Sequence, residues 1–236
     1  MIEINNLSFS YDNQKQALEN INIKTAERTI TAILGHDGAG KTTLLKCIMG
    51  LLKPSHGLIK VDNMFNDMLP YDEYISYLQE KGGFYSLLTP WQNLIFRGSQ
   101  HNKNKKEVKE LASVYLHKLE LNNKKNKISG MLSKGMQRRL ALACTLINQP
   151  KILILDEPTN GIDQVSSEII ISMLKELKHK CNSILINTHD LVLVGAVCDS
   201  IIVLNKGKLI EEKKVEDIGM NLRKYYLDLV DSYKEE

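Results

Sequence analysis

The sequence predicts an α/β protein organised around a parallel sheet, and three observations carry that expectation. Residues 152–155, 184–186 and 201–204 are short runs with no polar residue, and helical spacing separates them, most clearly over residues 165–179. Strands apolar at every position, rather than at alternate ones, are buried on both faces, which is the condition of a parallel sheet covered by helices. The apolar run at residues 29–34 leads through a glycine-rich stretch straight into the helix-like segment Thr43, Leu44, Leu45, Lys46, Cys47, Ile48, Met49. Finally, short alternating runs in the N-terminal third predict a small antiparallel sheet.

Taken in order, Ile2 and Ile4, Leu7 and Phe9, Ile21 and Ile23, and Leu58, Ile59 and Val61 alternate with polar residues and are separated by turn formers. They supply the antiparallel part, with the glycine loop embedded among them. Residues 75–78 read as a further strand, followed by a loop over residues 79–86. From about residue 89 to 149 the apolar positions Val108, Leu111, Ala112, Tyr115, Leu116 and Leu119 follow helical spacing and predict an inserted helical segment. Within it Ser133 is a good N-cap for a helix that Gln149 and Pro150 end. The tail spaces Ile218, Leu222, Tyr226, Leu229 and Tyr233 as a stripe on a terminal helix that packs on its own domain. The expected organisation is one domain: a core with the antiparallel part over 1–82, a helical subdomain over 83–149, the rest of the α/β core over 150–212, and a helical tail over 213–236.

Composition narrows the function. The formal charge of +3 and a pI near 8.5 are too mild to predict a nucleic-acid binder. The lysine clusters at residues 101–106 and 124–127 contain no aromatic residue and read as solvated surface. Cys47, Cys144, Cys181 and Cys198 are far apart, with no Cys-x-x-Cys pair, and read as reduced core residues of a cytosolic protein. The first residues lack a basic segment leading into a long apolar stretch, so no secretory leader is expected. The longest apolar run, residues 191–198, falls far short of the roughly 20 residues of a membrane helix.

The chemistry lies in two segments. Gly35, His36, Asp37, Gly38, Ala39, Gly40, Lys41 and Thr42 have the spacing of a phosphate-binding loop, in the strand, loop, helix context that such a loop requires. Glycines let consecutive backbone N–H groups converge on phosphate oxygens, with the positive end of a helix dipole behind them. Lys41 would reach the β- and γ-phosphates, and the Thr42 hydroxyl would take one Mg²⁺ position. Asp156 and Glu157 follow four apolar residues, at the C-terminal edge where open α/β sheets bind ligands. That strand can deliver Asp156 to the Mg²⁺ shell and Glu157 to the water that attacks the γ-phosphate. Pro158, Thr159, Asn160 and Gly161 then turn the chain sharply.

With these segments in order, the chain resembles the ATP-binding cassette of ABC transporters over nearly its whole length. Leu132, Ser133, Lys134, Gly135 and Met136 match the family's signature, Leu-Ser-Gly-Gly-Gln, with two changes; Gly161, Ile162 and Asp163 match its D-loop; Thr188 and His189 match its switch histidine. The resemblance implies a P-loop NTPase fold that binds ATP with Mg²⁺ and hydrolyses it. Lys41, Glu157 and His189 would be the catalytic groups, His189 contacting the γ-phosphate. The nucleotide would also touch Tyr11, stacked on adenine, the loop through Thr43, and, across a head-to-tail dimer, Ser133, Gly135 and Asp163. Thr42 and Asp156 would serve the metal together with Gln79 or Glu80, the alignment leaning to Glu80.

The resemblance also implies a second cassette, identical or a close relative, and transmembrane permease subunits, with the chain on the cytoplasmic face of the membrane. Phe84, Tyr85 and Trp91 lie where the family docks its membrane partner; for Trp91, packing within the helical lobe is an equal reading. The departures at His36, Asp37, Lys134 and Met136 look most like bacterial ABC-2-type and antibiotic- or peptide-export cassettes, which favours export over import. The alternatives are a soluble ABC ATPase serving nucleic acid, the ribosome or iron–sulfur assembly, and a regulatory module without turnover; the intact Glu157 and His189 argue against the latter.

Overall fold

The computed structural model describes residues 1–12, 16–68, 74–100, 104–219 and 221–233. His101, Asn102 and Lys103, which open the first lysine cluster, lie outside the described residues, as do positions 220 and 234–236 of the tail. The strands are β1 (Ile2–Ser10), β2 (Gln16–Lys24), β3 (Thr29–Leu34), β4 (His56–Val61), β5 (Met64–Phe65), β6 (Ile75–Leu78), β7 (Ile152–Asp156), β8 (Ser183–Asn187), β9 (Ser200–Asn205) and β10 (Lys208–Lys214). The helices are α1 (Lys41–Ile48), α2 (Pro90–Gly98), α3 (Lys105–Lys118), α4 (Lys134–Leu146), α5 (Gln164–Leu177), α6 (Leu191–Val197) and α7 (Leu222–Ser232). The chain divides into two units, one made of Met1–Pro70 with Asn182–Glu236, the other of Tyr71–Cys181.

The first unit holds the predicted antiparallel sheet, in the order β2-β1-β4-β5. What the sequence suggests as two short strands at its start is one strand. Ile2 and Ile4, then Leu7 and Phe9, are the buried residues of β1, so the inward-facing parity slips by one between Ile4 and Leu7. A one-residue slip would otherwise turn every later side chain to the wrong face. A bulge absorbs it: the register shifts between Ile4 and Leu7 against β2 and between Asn5 and Ser8 against β4, and Asn6 takes a left-handed φ of 52°.

The same unit carries β3 between β8 and β9, both parallel to it, with Ala32 opposite Ile186 on one side and Ile201 on the other. Ile30, Ala32, Ile33, Ile184, Leu185, Ile186, Ile201 and Val203 are at most 1 % exposed, as strands covered on both faces require. Sequence periodicity does not reveal β10, which pairs antiparallel with β9. Its run of Lys208, Glu211, Glu212, Lys213 and Lys214 is suited to an edge strand, where charge discourages further pairing. The tail is also not one helix. Ile218 belongs to a short 3₁₀ turn, Gly219 breaks the chain at φ 77°, and α7 restarts with Asn221 as its cap. On α7, the Tyr225 hydroxyl donates to Glu211 of β10 at 2.6 Å.

The second unit pairs β6 and β7 in parallel, Leu78 opposite Leu155. Its helices begin as their sequences dictate. Thr89 and Gln92 form a reciprocal capping box at α2, with Pro90 in the first turn. Asn104 caps α3, Ser133 caps α4 by accepting from Met136 N, and Asp163 caps α5. Asn93 is fully buried; its amide exchanges hydrogen bonds with both backbone groups of Tyr85 and donates to Ser129, which pins the loop before α2. The four cysteines are buried and not disulfide-bonded, as predicted. Burial pushes the Cys47 thiol up to about 11, so it stays protonated. No helix among the described residues is long and apolar enough to cross a membrane.

Replacing Ile33, 1 % exposed on β3, by alanine should cost about 2–5 kcal/mol, read as a shift of the urea midpoint at unchanged slope. Hydrogen bonds from the Ser166 N–H and hydroxyl hold the Asp163 carboxyl below its ordinary value. A carboxyl depressed in the native state binds its proton more tightly when unfolded, so it stabilises the fold above its unfolded pKa and ceases to as pH falls through the folded one. The stability lost on Asp163→Ala should therefore be full at neutral pH and shrink in acid; melting curves that show a pH-independent difference would contradict this.

Candidate active site

Two strand edges carry the predicted residues. In the first unit β3 ends at Leu34 and the glycine loop begins. Gly40 adopts φ 102° as it enters α1, and a Cβ there would come within 2.8 Å of the Ala17 carbonyl and 2.9 Å of a Leu18 methyl. Only glycine tolerates both the backbone angle and the close approach. The Lys41 ammonium donates to the carbonyls of Gly35 at 2.6 Å and His36 at 3.0 Å, which holds it over its own loop. His36, Asp37 and Gly38 are exposed, as is Thr42, while Ala39 and Thr43 are buried. The first turn of α1 has no acidic residue to offset its positive dipole end. A loop of this form suits a polyphosphate.

His36 is the loop's own departure, and it has a local reason. Its Nε2 lies 2.8 Å from the Asn205 amide oxygen at the end of β9, and its Nδ1 lies 2.6 Å from the Asp37 carbonyl. The imidazole thus ties the loop crest to the next strand of the same unit. Tyr11 is 62 % exposed, its ring set edge-on to Phe9 with centroids 4.9 Å apart, and its hydroxyl lies 3.1 Å from Thr43 Oγ. His189 is exposed two residues past β8, where the Thr188 N–H donates back to Ile33. Parallel pairing of β3 with β8 therefore sets His189 and the root of the glycine loop at one sheet edge.

The second unit repeats this logic. Leu78 lies opposite Leu155, so Gln79 and Glu80 leave β6 beside Asp156 and Glu157 at the end of β7. Asp156 is 9 % exposed, and Gln79 and Glu80 are both exposed. Side-chain exposure gives no choice between Gln79 and Glu80. Glu157 has φ 47°, an unusual angle for a residue with a side chain, worth about 1–3 kcal/mol of strain. The turn that follows closes with Asn160 N donating to the Glu157 carbonyl at 3.2 Å.

Two neighbours of these carboxylates escape sequence reading. Tyr77 on β6 donates its hydroxyl to Asp156 Oδ2 at 2.8 Å. Burial, then that bond, push its phenol well above the ordinary value, so it acts as a fixed donor. Arg138 on α4 reaches the carbonyls of this strand end and is 7 % exposed. Tyr77 is legible only as one alternate position of a short strand, and Arg138 resembles any charged residue of an amphipathic helix; what each touches depends on pairings distant in sequence.

At the signature segment, Ser133 is a cap and exposed, as is Lys134. Gly135 has a packing reason. A Cβ there would lie 2.1 Å from Ser166 Oγ and 2.3 Å from Asp163 Oδ2, so α4 and the start of α5 touch through it. The fold thereby brings Gly135 and Asp163 together, and the Asp163 carboxylate accepts from Ser166 of its own chain.

Comparison with known proteins agrees with this arrangement. The family described as ABC transporter matches residues 18–160. An uncharacterized ABC transporter ATP-binding protein of Methanocaldococcus jannaschii is 32 % identical over 233 residues, spanning 99 % of this chain and 84 % of that protein. The solved ATP binding subunit of an ABC transporter superposes with a TM-score of 0.87 at 26 % identity, over 98 % of this chain and 99 % of the other. A dimeric post-hydrolysis state of an ATP-binding cassette, bound to ADP and Pi, superposes with a TM-score of 0.80 at 27 % identity, over 91 % and 99 %. With the family matched over more than half its length, and a phosphate loop and strand-end carboxylates built as above, the chain belongs to the ABC transporter family as an ATP-binding, ATP-hydrolysing cassette.

Proposed function

We propose that this subunit powers transport by clasping ATP between two cassettes and releasing it on hydrolysis, with Glu157 as the group that orients and deprotonates the attacking water. The glycine loop carries this reading: it offers an ammonium, a helix start without an acidic residue in its first turn, and exposed crest residues to a triphosphate. Lys41 and residues 35–43 would bind the phosphates, Tyr11 would stack on adenine, and His189 would hold the γ-phosphate. Ser133 and Gly135, at the start of α4, and Asp163 would meet the nucleotide held by the partner cassette. The charge for that contact comes from the γ-phosphate, so its loss weakens the clasp.

Among the described residues no cluster of three or more His, Cys, Asp or Glu could hold a metal by itself. Mg²⁺ suits this site, because it binds through one or two carboxylates, water and substrate phosphates rather than a protein cage. Thr42, Asp156 and Glu80 or Gln79 would complete its shell. Held there, Mg²⁺ would supply positive charge to the phosphates of the nucleotide. The permease partners would sit in the membrane, with this chain peripheral on its inner face. Residues 83–149 would act as the helical subdomain, and its exposed Tyr85 and Leu87, with Phe84, as the docking surface. Trp91 is half-buried, and its backbone N–H donates to the Lys125 carbonyl, which supports a place within the same lobe.

Glu157→Gln should lower kcat by about 10²–10⁴ while ATP still binds, and light scattering should then register a doubled mass with ATP but not with ADP. Turnover near the wild-type rate, or an ATP-bound monomer, would sink this reading. Tyr85→Ser should leave the ATPase of the isolated subunit unchanged and weaken its recovery with the permease; loss of activity without the permease would argue against docking.

A further inference from the structure

Arg138 lies five residues past the cap of α4, and every N–H of its guanidinium meets a main-chain carbonyl. Nε donates to Pro158 at 3.1 Å; Nη1 donates to Gln79 and, at 3.0 Å, to Glu80; Nη2 donates to Asp156 and, at 2.9 Å, to Glu157. Arginine offers five donors in a rigid planar fork, and here none remains. Burial lowers its pKa below the ordinary guanidinium value, while the nearby Asp156, Glu80 and Glu157 act to restore it.

The acceptors form two groups. Gln79 and Glu80 follow β6, and Asp156, Glu157 and Pro158 run consecutively off β7. In an extended strand successive carbonyls point to opposite sides, so one side chain cannot collect three in a row. The chain must leave the β conformation for this to happen, and it does so at Glu157, whose φ is 47°. A left-handed residue other than glycine persists only where its surroundings over-determine it, and such residues cluster at active sites. The donors of Arg138 to the carbonyls on either side of that residue are the surroundings that do so.

We propose that Arg138 is a positioning residue for hydrolysis: its guanidinium ties the carbonyls of Asp156, Glu157 and Pro158 to those of Gln79 and Glu80, and so fixes the direction in which Glu157 presents its carboxylate to water. This rests on Glu157 being the group that handles the water. Because Arg138 and Ser133 share α4, the tie also makes the backbone at Glu157 follow the helix whose start carries the signature motif. Lysine keeps the charge but loses the planar fork, and methionine keeps much of the volume but donates nothing.

The test compares wild type, Arg138→Lys, Arg138→Met and Glu157→Gln as full-length purified protein. It measures kcat and KM, Mg-ATP affinity by calorimetry, and thermal melting. The expected result is a kcat lowered roughly 10- to 100-fold in Arg138→Lys, and further in Arg138→Met, with Mg-ATP affinity within about threefold of wild type and the protein folded at the assay temperature. Should Arg138→Met fail to fold, Arg138→Lys decides. Wild-type kcat in the folded variants overturns the proposal, as does a loss of rate that tracks the unfolded fraction or lost affinity. Near-normal turnover by Glu157→Gln overturns the underlying assignment instead; an inactive Glu157→Gln beside a fully active Arg138→Lys overturns only the role of Arg138.

Discussion

Where a parallel strand stops, its last backbone groups lose the neighbours that satisfied them, and this protein places its chemistry where that happens. A buried peptide group without a partner is costly. The ends of β3 and β7 resolve the problem in opposite senses. After β3, glycines and a helix start turn the chain so that N–H groups and an ammonium gather for an anion. After β7, the leftover groups are carbonyls, and a cation inside the protein, Arg138, takes them up.

This division assigns charge to each strand end before any ligand arrives. Lys41 is held by two carbonyls of its own loop, a set of partners that phosphate oxygens can replace because a charge-assisted bond to an anion is stronger than one to a neutral carbonyl. Asp156 accepts from the Tyr77 hydroxyl, a neutral donor that orients the carboxylate. The strain at Glu157 belongs to the same arrangement, stored in the backbone and held by the bonds beside it.

Much of this was legible in advance. The apolar runs at residues 152–155, 184–186 and 201–204 predict buried parallel strands because period and composition leave little alternative. The strand, loop, helix order around the glycines reads correctly because their spacing is itself a backbone requirement. Ser133 reads as a cap because a hydroxyl before a helical run has a local use. The failures are of another kind. β1 appears as two strands because a bulge is a relation between neighbouring strands, and β10 is hidden because five of its seven residues are charged and its two apolar ones are adjacent rather than alternating. The tail reads as one helix because the apolar spacing carries on past Gly219, where the 3₁₀ turn ends at a positive φ.

By itself, then, the amino-acid order determined the buried parallel strands, the glycine loop between strand and helix, and which two carboxylates stand at a strand end, since each follows from spacing within a few residues. Only the tertiary structure decided that Tyr77 holds Asp156, that Arg138 collects the carbonyls around Glu157, that Gly135 is small because Asp163 and Ser166 press against it, and that His36 ties its loop to Asn205. Each of these joins residues separated by some 20 to 170 positions. The direction of a hydrogen bond at that separation depends on strand pairing and helix packing, which no local pattern encodes.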